Sequence, residues 1–235
     1  MTTSPAPSSY SAWIPIILDH TLGDNAWLHV RGRVVGGHIG IGVLDKIRNT
    51  IQNEEVLSPS STIGDFFIKL PPDGKADALL IRNASERGTS SQMALEETEI
   101  LARAHQVKPL ASLEEAQLAY SQASIIRKPE LTINSAPQRW VFAAMIPVHA
   151  SVNAHWIVVK IRAHIVSGEV GFSFLRTDGK DVQDEQSYSK SQNPVEVFLP
   201  LPRSGGLSKL IIRSTAPDGT VSRAVLDGIE TWQLE

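Results

Sequence analysis

Apolar and polar residues alternate with period two through most of this chain. Leu28, Val30, Gly32 and Val34 fall on one side and Trp27, His29, Arg31 and Arg33 on the other, the pattern of a half-buried β-strand. Ile39, Ile41 and Val43 share a face, as do Val170, Phe172 and Phe174. Val34-Val35-Gly36-Gly37-His38-Ile39 reads as strand, glycine turn and return strand, and Ile165-Val166-Ser167-Gly168-Glu169-Val170 reads the same way. Further strands are expected at 65–70, 78–83 and 91–101, again at 195–201, 209–214 and 222–234, with opening strands at 13–18 and 140–147. Turn-forming runs such as Pro71-Pro72-Asp73-Gly74 and Pro217-Asp218-Gly219 separate them. Short strands at this spacing predict antiparallel sandwiches rather than an alternating α/β sheet.

The pattern occurs twice. Leu70-Pro71, Gly74, Leu79, Ile81-Arg82, Gly88-Thr89, Ser91, Leu95 and Glu99 recur 131 residues on, as Leu201-Pro202, Gly205, Leu210, Ile212-Arg213, Gly219-Thr220, Ser222, Leu226 and Glu230. The same offset carries Gly40 onto Gly171 and Glu54 onto Glu185. A slip of two residues upstream aligns Trp27, Arg31 and Arg33 with Trp156, Lys160 and Arg162. The chain therefore reads as all-β: two tandem, jelly-roll-like β-sandwiches from an internal duplication, at 11–103 and 138–235. Between them, 104–137 has no twin. Ser112-Leu113-Glu114-Glu115 is a capping box, which predicts a short helix inside a linker. The first nine residues read as a disordered lead-in.

Composition narrows the chemistry. The chain has 235 residues and no cysteine, which removes disulfides, thiolate zinc sites and a cysteine nucleophile and suits a cytoplasmic location. A net charge of −3 without a lysine–arginine run argues against a nucleic-acid partner. No apolar stretch is long enough for a membrane span, and the N-terminal residues lack a secretory pattern. The glycines from Gly36 to Gly42 do not match a dinucleotide loop, and strand rather than helix follows them. Seven scattered histidines form no zinc pair, and no cofactor is expected, although carboxylates near the chain start leave room for a structural calcium.

Trp27, Arg31 and Arg33, with Trp156, Lys160 and Arg162, are the candidate ligand-binding residues. An aromatic ring can cover the C–H face of a sugar while neighbouring cations donate to its oxygens. The alternative is that each tryptophan packs the sandwich edge and the basic residues pair with acids on adjacent strands. Arg82 with Glu99, and Arg213 with Glu230, are expected as structural ion pairs across strands. No catalytic residue is assigned: no nucleophile motif occurs, and an active site copied in tandem is rarer than a copied binding surface.

Trp27, Arg31, Arg33, Gly37, Ile39-Gly40, Leu44, Leu70-Pro71, Leu79, Ile81-Arg82-Asn83, Gly88-Thr89 and Ser91, with their second-copy equivalents, resemble a β-sandwich accessory domain. That domain accompanies bacterial FkbM-type methyltransferases and glycosyltransferases of surface-polysaccharide assembly; more loosely, the pattern is similar to jelly-roll carbohydrate-binding modules. The resemblance implies a non-catalytic module that binds a glycan or polysaccharide and serves an attached or partner enzyme. A protein-interaction scaffold, and behind it a polysaccharide-cleaving enzyme, are the competing readings.

Overall fold

The computed structural model describes residues 1–6, 9–16, 25–45, 47, 50–72, 75–85, 89–127, 130–149, 156–176, 179, 182–201 and 207–235. The chain divides into two compact units, Met1–His105 with Leu234–Glu235, and Gln106–Gln233. No described helix is long and apolar enough to cross a membrane.

The first unit contains β1 (Tyr10–Pro15), β2 (Trp27–Gly36), β3 (Ile39–Asp45), β4 (Thr50–Leu57), β5 (Gly64–Lys69), β6 (Ala76–Asn83) and β7 (Gln92–Leu101). One layer runs β1-β6-β3-β4 and the other β5-β2-β7, with all pairings antiparallel. Between the layers lie Leu28, Val30, Val34, Ile39, Ile41 and Val43, the faces expected from alternation in β2 and β3, with Leu79 and Ile81 of β6 and Met93 of β7. Burying such a set of aliphatic side chains contributes roughly 1.5–3 kcal/mol each before the entropy of ordering is charged.

The first residues are not a disordered lead-in. Thr2 bridges Gln92, Thr3 donates its amide to Ser91 O at 2.8 Å, and the Ser91 amide donates back to Thr3 Oγ1 at 2.7 Å. Thr3 is buried, so this short segment acts as an eighth strand beside β7. With it, the two layers have the strand adjacency of a jelly roll.

The second unit follows β8 (Ala104–Val107) in sequence. It contains β9 (Gln117–Leu118), β10 (Ser124–Ile126), β11 (Leu131–Asn134), β12 (Phe142–Pro147), β13 (Trp156–Ser167), β14 (Glu169–Arg176), β15 (Val182–Ser189), β16 (Val195–Leu201), β17 (Leu207–Ser214) and β18 (Arg223–Leu234). Its layers run β10-β11-β18-β13-β16 and β15-β14-β17-β12-β9, again antiparallel. They enclose a second apolar interior of which Ile161, Phe172, Phe174, Val197, Leu210 and Ile212 are members.

The expected helical linker is corrected here. Residues 113–115 form a single 3-10 turn capped by Ser112, whose Oγ accepts the Glu114 amide at 3.3 Å. The Arg127 guanidinium takes up the carbonyls of Glu114 at 3.2 Å and Ala116 at 2.5 Å, acceptors that a longer helix would have used internally. Glu115 does not close a capping box; its carboxylate meets His149 Nε2 at 3.0 Å. The rest of the segment supplies β9, β10 and β11, and Leu110, Ala123, Leu131 and Ile133 join the interior of the second unit.

The serines of the repeated Gly-Thr-x-Ser motif, Ser91 and Ser222, close the hairpin turns. Gly37 and Gly168 both have φ of +69°, and a Cβ on either would strike the hydroxyl of Ser91 or Ser222. In the first unit Asn83, wholly buried, ties the turn together. Its Nδ2 donates to Thr89 O at 2.8 Å and Ser4 O at 3.0 Å, and its Oδ1 accepts from Ser91 Oγ at 2.7 Å and the Ser85 amide at 3.0 Å.

Candidate functional site

The outward side of β2 is not an open surface. Trp27 is 1% exposed and Trp156 6%, so neither indole presents a face to a ligand. His29 and Phe67 are buried beside Trp27 and stack with ring centroids 4.9 Å apart. Three of the four basic residues meet acids on adjacent strands, as the competing sequence reading held. Arg31 reaches Asp65 at 3.0 Å and Glu96 at 3.5 Å, Lys160 reaches Glu196 at 2.6 Å, and Arg162 lies 3.6 Å from Asp227. Arg33 donates to Ser61 O at 3.4 Å. Burial pushes the Asp65 carboxyl up, but the hydrogen bond from His29 at 2.8 Å and the Arg31 charge outweigh it and hold it below its ordinary value. The sugar-binding role assigned to these six residues is corrected: the tryptophans are packed and the charges largely spent on each other.

The opposite layer carries exposed rings along one edge, beside a centre where Ala78, Leu80, Gly40 and Gly42 are buried. On β6, Leu79 and Ile81 point inward, so Leu80 and Arg82 point out. On β3 the outward positions are Gly40 and Gly42, between inward Ile39, Ile41 and Val43. Side chains fill the space over both glycines, and a Cβ at Gly42 would strike Ile51 Cγ2. Glu54 and Arg82 lie across Gly40: Arg82 Nε donates to Glu54 Oε1 and the terminal nitrogen to Oε2 at 3.0 Å. A Cβ at Gly40 would collide with Glu54 Oε1 and come within 3.1 Å of Arg82 Cγ. The Glu54 hydrogen bond, opposed by partial burial, pushes the Arg82 guanidinium further above its ordinary value.

The same arrangement occupies the second unit. Arg213 Nε and its terminal nitrogen donate to Glu185 Oε1 and Oε2 at 2.5 and 2.8 Å, over Gly171. The Arg82–Glu99 and Arg213–Glu230 pairs are therefore corrected. Glu99 lies on β7 opposite His29 in the other layer, and Glu230 accepts from Trp232 Nε1 at 3.0 Å.

Two bulges decide which aromatic residues join this face. In β1, Tyr10 pairs with Arg82 and Trp13 with Leu80, with an irregularity between Tyr10 and Ala12. Arg82 and Leu80 point the same way, so the extra residue brings Tyr10 and Trp13 to one side although three positions separate them. Both rings are open, Tyr10 at 61% and Trp13 at 55% exposure. In β12 the same irregularity sets Phe142 opposite Arg213 and Met145 opposite Ile211. Trp140, 46% exposed, precedes that strand with φ of +68°, an unusual conformation for so bulky a residue. Guanidinium carbons of Arg139 and Arg213 lie 4.5 and 4.7 Å from its ring centroid. Sequence alternation missed Tyr10, Trp13 and Trp140; the repeated glycine–glutamate–arginine sets of both halves were the available signal.

Among the described residues no group of three or more histidine, aspartate or glutamate side chains converges as a metal site, while His20 and the adjoining residues 17–24 lie outside the description. The face instead offers flat rings and a neutralised guanidinium–carboxylate couple. That combination suits hydrogen bonding and stacking more than bond cleavage.

No known protein-family model matches the chain, and no curated protein sequence does. Among solved structures it is similar to a family 29 carbohydrate-binding module at 10% identity and TM-score 0.42, over 55% of this chain and 89% of the other. It is also similar to the tandem CBM22-1–CBM22-2 domain of Paenibacillus barcinonensis Xyn10C, at 9% identity and TM-score 0.37, over 90% and 79%. A third likeness is to the Bacillus thuringiensis insecticidal crystal protein Cry7Ca1, at 9% identity and TM-score 0.35, over 99% and 60%. Likeness at this level assigns the chain neither a family nor a ligand, and the functional argument rests on the residues of the two faces.

Proposed function

We propose that this chain is a non-catalytic carbohydrate-binding protein whose ligands lie on the β1-β6-β3-β4 face of the first unit and the β15-β14-β17-β12-β9 face of the second. One observation carries the reading: a bulge places the exposed rings of Tyr10 and Trp13 on the same side as the Arg82–Glu54 couple. An indole beside fixed donors and acceptors is what a pyranose requires, with one apolar C–H face and an equatorial rim of hydroxyls. Repetition of the Arg–Glu couple over a glycine in the second unit supports internal duplication of a binding surface.

Affinity electrophoresis through gels containing cellulose derivatives, xylans, mannans or pectins tests the proposal. Wild type is retarded by at least one polysaccharide, Trp13→Ala and Trp140→Ala each weaken the retardation, and the double variant migrates as in a blank gel. Failure of wild type to bind any of them, or unchanged binding by the double variant, refutes it. Service to an enzyme of polysaccharide assembly belongs to the same proposal, and co-purification of such an enzyme with the chain is its test.

A further inference from the structure

Resting on that carbohydrate reading, we infer that the second unit's face is built for an acidic sugar, a uronate residue held by the Arg139 guanidinium beside Trp140, whereas the first unit's face takes a neutral one. The argument is an account of donors and charges. In the first unit the described cation on the face is Arg82, and both its Nε and a terminal nitrogen are spent on Glu54. Tyr10 adds a hydroxyl and no charge at neutral pH. A ligand there meets a surface whose positive and negative groups cancel.

The second unit starts from the same couple, Arg213 with Glu185, and adds two cations: Lys209, outward on β17 beside inward Leu210, and Arg139. Arg139 is exposed, and no described carboxylate lies within ion-pair distance of its guanidinium. Its Nε donates to Thr215 O at 2.9 Å, which fixes the plane of the group and leaves the terminal nitrogens, with four N–H donors, for a partner. Two acids flank it, both with hydrogen bonds elsewhere: Asp218 Oδ1 accepts the Arg139 backbone amide at 2.8 Å, and Glu169 Oε1 accepts from Thr215 Oγ1 at 2.8 Å. The forked edge of a guanidinium matches a carboxylate in two parallel hydrogen bonds, which a hydroxyl cannot reproduce.

The backbone at this point is held on purpose-built contacts. Trp140 keeps its φ of +68° with its amide donating to Ser214 O at 2.8 Å, next to the Arg139 amide on Asp218. A bulky residue enters the left-handed region only against steric strain, and such strain concentrates where a side chain must be presented in one orientation. Here the conformation delivers an exposed indole directly beside an unpaired guanidinium, so ring and cation are ordered before any ligand arrives.

The test is titration calorimetry of the full chain with a hexamer of galacturonic acid and with its fully methyl-esterified form, which keeps the rings and removes the charges. Wild type binds the acid form at least about tenfold more tightly than the ester, and Arg139→Gln removes that preference while Trp13→Ala leaves it. Thermal unfolding of Arg139→Gln checks that the exposed substitution leaves the fold intact. Equal affinity for acid and ester, or an unchanged preference in Arg139→Gln, overturns the uronate assignment and leaves the carbohydrate reading standing. Absence of binding to the acid hexamer while a neutral polysaccharide binds through Trp13 does the same. Failure to bind any saccharide, neutral or acidic, overturns both.

Discussion

Glu55 stands inside the first unit where its counterpart across the repeat is an amide. On β4 it pairs with Ile41, whose side chain points into the apolar interior, and it is only 6% exposed. Neither carboxyl oxygen has a hydrogen-bond partner among the described residues, and burial pushes its pKa from 4.5 to about 8. At the matching register position of the second unit, Gln186 pairs with Phe172, donates Nε2 to Phe198 O at 2.8 Å and accepts from Tyr188 at 3.0 Å. The perturbation is Glu55→Gln. Because the folded pKa lies above the unfolded value, the native state holds the proton more tightly, so stability is full at pH 4 and falls as pH rises from about 4.5 to about 8. A span of roughly 3.5 pH units at about 1.4 kcal/mol each gives a loss of about 5 kcal/mol, of which about 3 is already incurred at pH 7. Urea unfolding of wild type and variant at pH 4, 5.5, 7 and 8.5 measures it. The variant should match wild type within about 1 kcal/mol at pH 4 and exceed it by about 3 to 5 kcal/mol at pH 8.5. Parallel stability curves for the two proteins across that range would refute the reasoning, since they would mean that Glu55 ionises as freely in the folded chain as in the unfolded one.

Two further outcomes follow from groups with counted partners. Asn83→Ala strips a fully buried hub of five hydrogen bonds and leaves Thr89 O and the Ser91 hydroxyl without it, at a cost of about 2 to 4 kcal/mol in chemical denaturation. Gly171→Ala places a Cβ against Glu185 Oε1 and within 2.8 Å of Thr215 Cγ2; it should cost about 1 to 3 kcal/mol in thermal unfolding and abolish saccharide binding by the second unit.

Much of the scaffold was legible because a sandwich strand with one buried face writes that face into every second residue. Leu28, Val30 and Val34, and Ile39, Ile41 and Val43, take the inward positions their alternation implies. The reading failed where the other face is also buried. Trp27 and His29 lie outside the inward set and are nonetheless enclosed, so polarity on that side signalled packed ion pairs rather than an exposed platform. Bulges hid the better candidate, since a simple period of two puts Tyr10 and Trp13 on opposite sides of β1. They also obscured the partner of Arg82. Asn53, at φ of +52°, sits with Glu54 in an irregularity opposite Gly42, so that Gln52 and Glu55, three positions apart, both pair with inward residues of β3. Residues 1–3 and 117–134 went unread as strands because the first contributes one bridged residue and the strands of the second have two to four each, too few to establish a period.

The cancellation of charge between Arg82 and Glu54 bears on the solutions in which a ligand could be held. A contact made by stacking and by hydrogen bonds to a neutral couple has little to lose to mobile ions, even in brine near 1 M, where screening sets in within about 3 Å. The first unit would keep its grip in salt that loosens any grip depending on Arg139, and a single chain would then answer a change of ionic strength by shifting which of its two surfaces remains occupied.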